Sequence, residues 1–327
     1  LPGQRPGDRC CVLRVTKVTA HLFMPQTTIL DTGCKANLYL RILGRRDDGY
    51  HDLQSLFVPL CQPSDRLTIG VSSKPGLVLT CTDPGLCGEE NTIHRAYFAF
   101  TRQTGWRPGV SVHLEKNIPP GAGLGGGSAD AAALLTHLNA MSPLEHRLTH
   151  TQLLLVAQEV GADVPFFLTS KPAWVQGIGQ HVQPVRMAYA SGWLVVVCPD
   201  VHISTAEAYQ AWDRSLEDTQ IGQVGPNPEP KYPHSMCSRG QVMFNDFESV
   251  LFPVHTELIR LKKKLLSCGA RGAVLSGSGA SVVGLFNAQQ EAEQAADKLA
   301  DNTTQVFINP IPMEKFLPCG GPWPTAG

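Results

Sequence analysis

Gly121-Ala122-Gly123-Leu124-Gly125-Gly126-Gly127-Ser128 runs directly into Ala129-Asp130-Ala131-Ala132-Ala133-Leu134-Leu135, a strong helix former. Five glycines in seven residues allow positive φ and let a ligand approach with no β-carbon in the way. A helix start carries unpaired N–H groups and a partial positive charge. Loop and helix start together therefore make a cradle for phosphate oxygens. The stretch predicts a nucleotide-triphosphate site at a strand-to-helix junction.

Spacing separates the kinds of phosphate loop. A Walker loop ends in Gly-Lys-Ser/Thr, whereas Ser128 follows a glycine and no lysine is near it. Gly121, Gly123 and Gly126 fit G-x-G-x-x-G, but a dinucleotide unit needs a second strand after the helix, ending in an acidic residue about 20 positions on. The chain instead breaks at Met141-Ser142-Pro143 and resumes as helix near Thr151. That topology argues against a nicotinamide-dependent oxidoreductase. A bare surface loop has little use for so many glycines, each costing about 0.5–1 kcal/mol of backbone entropy.

Working outward, Ala36 to Ile42 alternates as a strand, with Leu38, Leu40 and Ile42 on one face. Leu53–Leu60, Leu67–Val71 and Leu77–Cys81 read as further strands. Asn91 is placed to cap a helix carrying Ile93, Ala96, Tyr97 and Phe100. Val110–Leu114 is the strand entering the glycine loop, and helices over 128–140 and 151–160 follow it. A second unit has the strand 193–198 and a helix Thr205–Trp212. A polar stretch from Glu217 to Gln241 with four prolines follows, read as a mobile surface insertion. A helix 255–267, strands 273–276 and 281–286, a helix 289–300 and a strand 305–309 complete an α+β sandwich.

The chain has 327 residues, 17% of them charged, and a net charge of −1. This excludes a dominant electrostatic partner such as nucleic acid or an anionic membrane, so any anion site must be local. The aliphatic run Trp193–Cys198 is far too short to span a bilayer. Ten cysteines lie scattered without zinc spacing and read as buried thiols of a reduced compartment. Residues 1–30 read as a leader or disordered tail. Arg5, Arg9, Arg14 and Lys17 stand there against Asp8 alone, a pattern that suggests a plastid transit sequence, with the bacterial cytoplasm as the alternative.

Two more clusters carry chemistry. Asp163, within Gly161-Ala162-Asp163-Val164-Pro165-Phe166-Phe167, is set in a largely apolar surround where a carboxylate could take a proton from a substrate hydroxyl. Leu275-Ser276-Gly277-Ser278-Gly279-Ala280-Ser281 lies between two strands. It reads either as a tight hairpin or as a second loop closing over the phosphates.

Ile118 to Ser128 resembles the second motif of the GHMP small-molecule kinases, and Leu275 to Ser281 their third. Lys35-Ala36-Asn37-Leu38-Tyr39-Leu40, together with Gly44 to Phe57 and its D-G-Y-H element, resembles the first motif of the 4-diphosphocytidyl-2-C-methyl-D-erythritol kinase family. Gly161–Phe167 and Asn245-Asp246-Phe247-Glu248 are similar to further signatures of that family. The resemblance spans about residues 32–310.

It implies an α+β, two-domain GHMP kinase fold. A ribosomal-protein-S5-like ATP-binding domain would cover 31–190, and a ferredoxin-like α/β sandwich 191–315 with insertion 217–241, leaving 316–327 as a tail. It also implies transfer of the ATP γ-phosphoryl group to the 2-hydroxyl of the diphosphocytidyl substrate, with ATP and Mg²⁺ as cofactors. Asp163 matches the catalytic aspartate and Lys35 the catalytic lysine. Pro119, Gly121, Gly123, Leu124, Gly125, Gly126, Gly127, Ser128, Gly277, Ser278 and Gly279 match ATP-binding positions, and Asn91 an adenine-side asparagine. Tyr50 and His51 match the cytosine pair, Phe57 and Tyr209 further ring contacts, and Asn37 and Thr205 polar substrate contacts. Ser128 either ligates Mg²⁺ or caps the helix. Asp130, which would repel ATP, points away or meets the metal. The implied partner is a small molecule, with no nucleic acid or membrane, on a monomer or weak homodimer. The alternatives are another GHMP kinase, acting on homoserine, mevalonate or a sugar, and a non-catalytic nucleotide binder. Gly49-Tyr50-His51 argues against the first, and the presence of both Lys35 and Asp163 against the second.

Overall fold

A computed structural model describes residues 14–17, 27–169, 171–185, 187, 192–218 and 243–311. Its frame is one long antiparallel hairpin, β2 (Thr28–Arg45) and β3 (His51–Val71). The separate short strands expected here, Ala36–Ile42, Leu53–Leu60 and Leu67–Val71, merge into these two. Register shifts at Thr32/Cys34, Asn37/Tyr39 and Ile42/Gly44 let so long a pair continue while bending. β1 (Arg14–Lys17) pairs with the outer edge of β2, and β2 itself begins at Thr28. Part of the expected leader is therefore sheet edge, and the boundary expected at 31 falls inside a strand.

β4 (Gly76–Cys81) and β5 (Gly109–Glu115) extend the sheet beside the far half of β3. β6 (Ala173–Gly177) and β7 (His181–Pro184), a hairpin the residue pattern did not announce, lie beside its near half. Helices α1 (Thr92–Thr104), α2 (Gly126–Met141) and α3 (His150–Val160) close one core against β3 and β5, built on Ile93, Phe100, Val112, Leu134 and Val156. The short α4 (Val164–Thr169) had no periodicity long enough to be seen in six residues.

The second sheet has the order β10–β11–β8–β12, all antiparallel: β10 (Gly272–Leu275), β11 (Val282–Phe286), β8 (Trp193–Pro199) and β12 (Thr304–Pro310). Both faces of β8 are covered, which explains its unbroken apolar run. Val195 and Val197 face the core closed by α5 (Thr205–Asp218), α7 (Thr256–Ser267) and α8 (Gln289–Leu299). Leu194, Val196 and Cys198 face Cys34, Ala36 and Leu38 of β2, so the two sheets pack directly on one another. A buried polar tie accompanies this packing. Asn309 Oδ1 accepts from the amides of Cys61 and Gln62, and its Nδ2 donates to Gln62 O at 2.7 Å. The helix expected to stop at Trp212 continues to Asp218, and residues 219–241 of the expected insertion lie outside the described residues. Cys34, Cys81, Cys87, Cys198 and Cys268 are free thiols, but Cys61 is in a disulfide, so the all-thiol reading does not hold for every cysteine.

Candidate active site

Alternation along β2 decides where the site begins. Cys34, Ala36 and Leu38 are committed to the inter-sheet core, so Lys35 and Asn37 project from the opposite face, two residues apart and side by side. They open onto a cleft of about 970 Å³ between the two units. Every expected site residue lines it except Gly279.

Lys35 is 4% exposed, and its ammonium is fully occupied. Nζ donates to Asn37 Oδ1 at 2.6 Å and to Gly123 O at 2.9 Å, and it pairs with Asp163 Oδ2 at 3.7 Å. Burial pulls the Lys35 pKa down, and the Asp163 carboxylate opposes that pull. The Phe57 ring lies 5.0 Å beneath the ammonium, edge-on to Phe166, and is itself buried. Phe57 therefore supports the lysine by a cation–π contact at the wall of the cleft. Asn37 is likewise committed, because its Nδ2 donates to Ser55 Oγ at 2.8 Å. Asp163 is less enclosed than its apolar neighbours suggested, with 30% of its side chain exposed.

The phosphate loop is held by contact as much as by flexibility. Gly121, Gly123 and Gly125 adopt φ of 71°, 71° and 70°. A β-carbon on Gly123 would stand 2.1 Å from Ser276 O and 2.8 Å from Gly279 O, so the two glycine loops touch backbone to backbone. Ser276 Oγ donates to Gly123 O at 3.0 Å while accepting from the Asn37 amide, and Ser281 N donates to Ala122 O. The 275–281 segment thus packs against the first glycine loop, as a loop closing over phosphates there would require.

That loop is braced from behind by the Asn245-Asp246-Phe247-Glu248 signature. Asn245 Nδ2 donates to Leu275 O and Gly277 O, Glu248 Oε1 accepts from Leu275 N, and Asp246 Oδ2 accepts from Ile42 N. Asn245 ends the short β9 (Phe244–Asn245), and Glu248 opens α6 (Glu248–Leu251).

Gly125, in the left-handed region, is the N-cap of α2, which removes the capping role offered for Ser128. Ser128 lies inside the first turn, and its hydroxyl makes no hydrogen bond among the described residues. Asp130 lies in the cleft wall but is buried and already paired. It accepts from Thr32 Oγ1 at 2.8 Å and pairs at 3.5 Å with Lys116, which also binds the fully buried Asp65. Burial raises Asp130 to about 7, against the pull of Lys116. Burial also weighs on Lys116, but its two carboxylates carry it above its usual value. Asn91 is spent on structure: Oδ1 caps α1 through Ile93 N, and Nδ2 donates to Leu86 O.

At the other end of the cleft Tyr50 is 61% exposed and free to stack. His51 is buried against Tyr209, ring centroids 4.5 Å apart and nearly parallel. Burial first, and the Asp163 charge second, raise the Tyr209 phenol to about 12, so it stays a hydrogen-bond donor. Thr205 Oγ1 lies 3.1 Å from Ser278 Oγ. Asp213 was missed in the sequence, although Thr205, Tyr209 and Asp213 repeat every four residues on one face of α5. It binds His51 Nε2 at 2.6 Å. Lys116 was missed as well, while Ser276 and Asn245 stood inside motifs already singled out but with no individual role assigned.

Two family models match the chain: GHMP kinases N terminal domain over residues 91–171 and GHMP kinases C terminal over 234–304. The chain is 43% identical over 285 residues to the 4-diphosphocytidyl-2-C-methyl-D-erythritol kinase of Nitratidesulfovibrio vulgaris strain DP4, covering 87% of this chain and 99% of that one. It is 39% identical to the protein of that name from Symbiobacterium thermophilum, covering 85% and 98%. Among solved structures it matches a 4-(cytidine 5'-diphospho)-2C-methyl-D-erythritol kinase with a TM-score of 0.71 and 32% identity, over 86% of this chain and 98% of that one. A homoserine kinase from Cytophaga hutchinsonii, at 19% identity and a TM-score of 0.62, shares the fold over 89% and 96%. These curated relatives are bacterial, and the plastid expectation has no support from them. No helix among the described residues is long and apolar enough to cross a membrane.

Proposed function

The chain belongs to the 4-diphosphocytidyl-2-C-methyl-D-erythritol kinase family of the GHMP kinases, and from that premise we propose a residue-level account of its reaction. The protein is an ATP-dependent kinase of isoprenoid-precursor synthesis. The γ-phosphoryl group of ATP passes to the 2-hydroxyl of 4-diphosphocytidyl-2-C-methyl-D-erythritol. One observation carries the account: the Lys35 ammonium is fixed between Asp163 and the carbonyl of the phosphate loop. Asp163 takes the proton of the attacking hydroxyl. Lys35 pairs with that carboxylate and stabilises charge developing on the transferred group. Phosphoryl transfer asks chiefly for positioning, and the contact between the two glycine loops supplies it.

Gly121 to Gly127, the start of α2, and Gly277 and Ser278 hold the phosphates. Mg²⁺ arrives with ATP. No group of three or more His, Cys, Asp or Glu among the described residues could hold it unaided; the Ser128 hydroxyl, in the first turn of α2 and lining the cleft, would supply a protein oxygen to it. The exposed Tyr50 ring stacks on the cytosine, His51 reads its edge, and Thr205 meets the diphosphate end. Asn37 and Phe57 line the same cleft and hold Lys35 in place.

The test is ATP consumption with Mg²⁺ on four acceptors: the cytidylyl substrate, homoserine, mevalonate and galactose. Turnover confined to the cytidylyl substrate is expected. Turnover on another acceptor discards the cytosine pocket, and ATP binding without turnover on any acceptor discards the catalytic account.

A further inference from the structure

The His51 imidazole is held on two sides. One face stacks on Tyr209. Nε2 lies 2.6 Å from Asp213 Oδ1, and the other oxygen of that carboxylate lies 3.6 Å from Arg45. A carboxylate only accepts, so Nε2 must carry the hydrogen. In a neutral ring the remaining nitrogen, Nδ1, is then a bare acceptor. It has no partner among the described residues and is not sealed from solvent, and His51 lines the cleft.

We propose that Asp213 is the positioning residue that fixes the tautomer of His51 and thereby makes the enzyme select cytosine over uracil. The inference rests on the reading of His51 as the base-edge contact. An acceptor at Nδ1 matches the exocyclic amine of cytosine and meets the corresponding carbonyl oxygen of uracil lone pair to lone pair. Arg45 gives the far oxygen of the carboxylate a partner of its own, so the near oxygen is left to His51. Asp213 comes from α5 and His51 from β3, so the selecting geometry exists only when helix and hairpin are seated together. Nothing in the D-G-Y-H element announces this partner, 162 residues further along the chain.

The experiment uses the full chain. Long-range ¹⁵N–¹H NMR of the His51 ring should show the Nε2–H tautomer in the wild type. An Nδ1–H ring or an imidazolium at assay pH overturns the proposal without any variant. Then kcat/KM is measured for the cytidylyl substrate and its uridylyl analogue. Asp213→Asn can offer an N–H to Nε2, so the cytosine preference should fall about ten- to a hundredfold while KM for ATP holds. Asp213→Glu, which restores an acceptor, should recover most of it. Equal proportional loss on both substrates marks a merely structural role and overturns the inference. A wild type that phosphorylates both bases equally overturns the inference but leaves the kinase reading standing. A wild type that ignores the cytidylyl substrate fails the underlying reading itself.

Discussion

Gly123 and Gly105 share a φ of 71°, but a β-carbon on Gly105 meets nothing within 4 Å, while one on Gly123 meets Ser276 O at 2.1 Å. Substituting each by alanine therefore separates backbone strain from contact between the loops. Left-handed backbone costs an alanine about 1–2 kcal/mol at either site. At Gly123 an ordinary C···O approach of about 3.3 Å also requires the loops to part by roughly 1 Å. That breaks Ser276 Oγ to Gly123 O, Ser281 N to Ala122 O and Lys35 Nζ to Gly123 O, about 1 kcal/mol each. Gly123→Ala should thus lose about 4–5 kcal/mol, and Gly105→Ala about 1–2. At about 2 °C per kcal/mol in a chain of this length, the melting temperatures should fall by about 8–10 °C and about 2–4 °C. Because Lys35 loses its loop anchor, kcat of Gly123→Ala should also fall about a hundredfold, the usual cost of a 1 Å misplacement. Calorimetry and steady-state kinetics on both variants provide the check. Equal melting temperatures with an undiminished kcat for Gly123→Ala refute the coupling of the two loops.

Asp163→Asn should leave ATP affinity nearly intact and lower turnover about 10²–10⁴-fold, the usual size of a general-base contribution; an unchanged kcat removes Asp163 from that role. Tyr50→Ala should raise KM for the cytidylyl substrate well above any change for ATP, and equal shifts in the two constants place the base elsewhere. Asp130 holds its proton more tightly folded than unfolded, so its contribution favours folding fully below pH 3.8 and is lost as pH rises through about 7. Asp130→Asn should flatten the decline in melting temperature across that window, and a slope like that of the wild type shows that the carboxylate ionises normally.

The parts of the site written locally were readable before any coordinates. The glycine run, Lys35 with Asn37, and Asp163 each sit in a short stretch whose residue types state their chemistry. What escaped depends on partners far along the chain. Ser276 meets the Asn37 amide across 239 positions, and Asp213 meets His51 across 162. No periodicity encodes such pairs. Other residues kept their place but changed employment. Phe57 and Asn37 line the cleft yet serve Lys35, and Asn91 stands at its rim with its side chain consumed by a helix cap. Strand lengths were underread because the bulges of β2 interrupt its alternation while the hydrogen-bonded ladder runs on.

The distance between Lys35 and its clamp has a consequence for synthesis. The lysine is among the first described residues to leave the ribosome. The serine and glycines that anchor its loop follow some 240 positions later, and Asn309, which ties the sheets together, later still. Domains emerge and fold from the N-terminus, so the first unit acquires its core while its phosphate loop still lacks the backbone it leans on. The nascent chain carries Lys35 and Asp163 before the segment that seats them, and can use neither until residues 276 to 309 have followed.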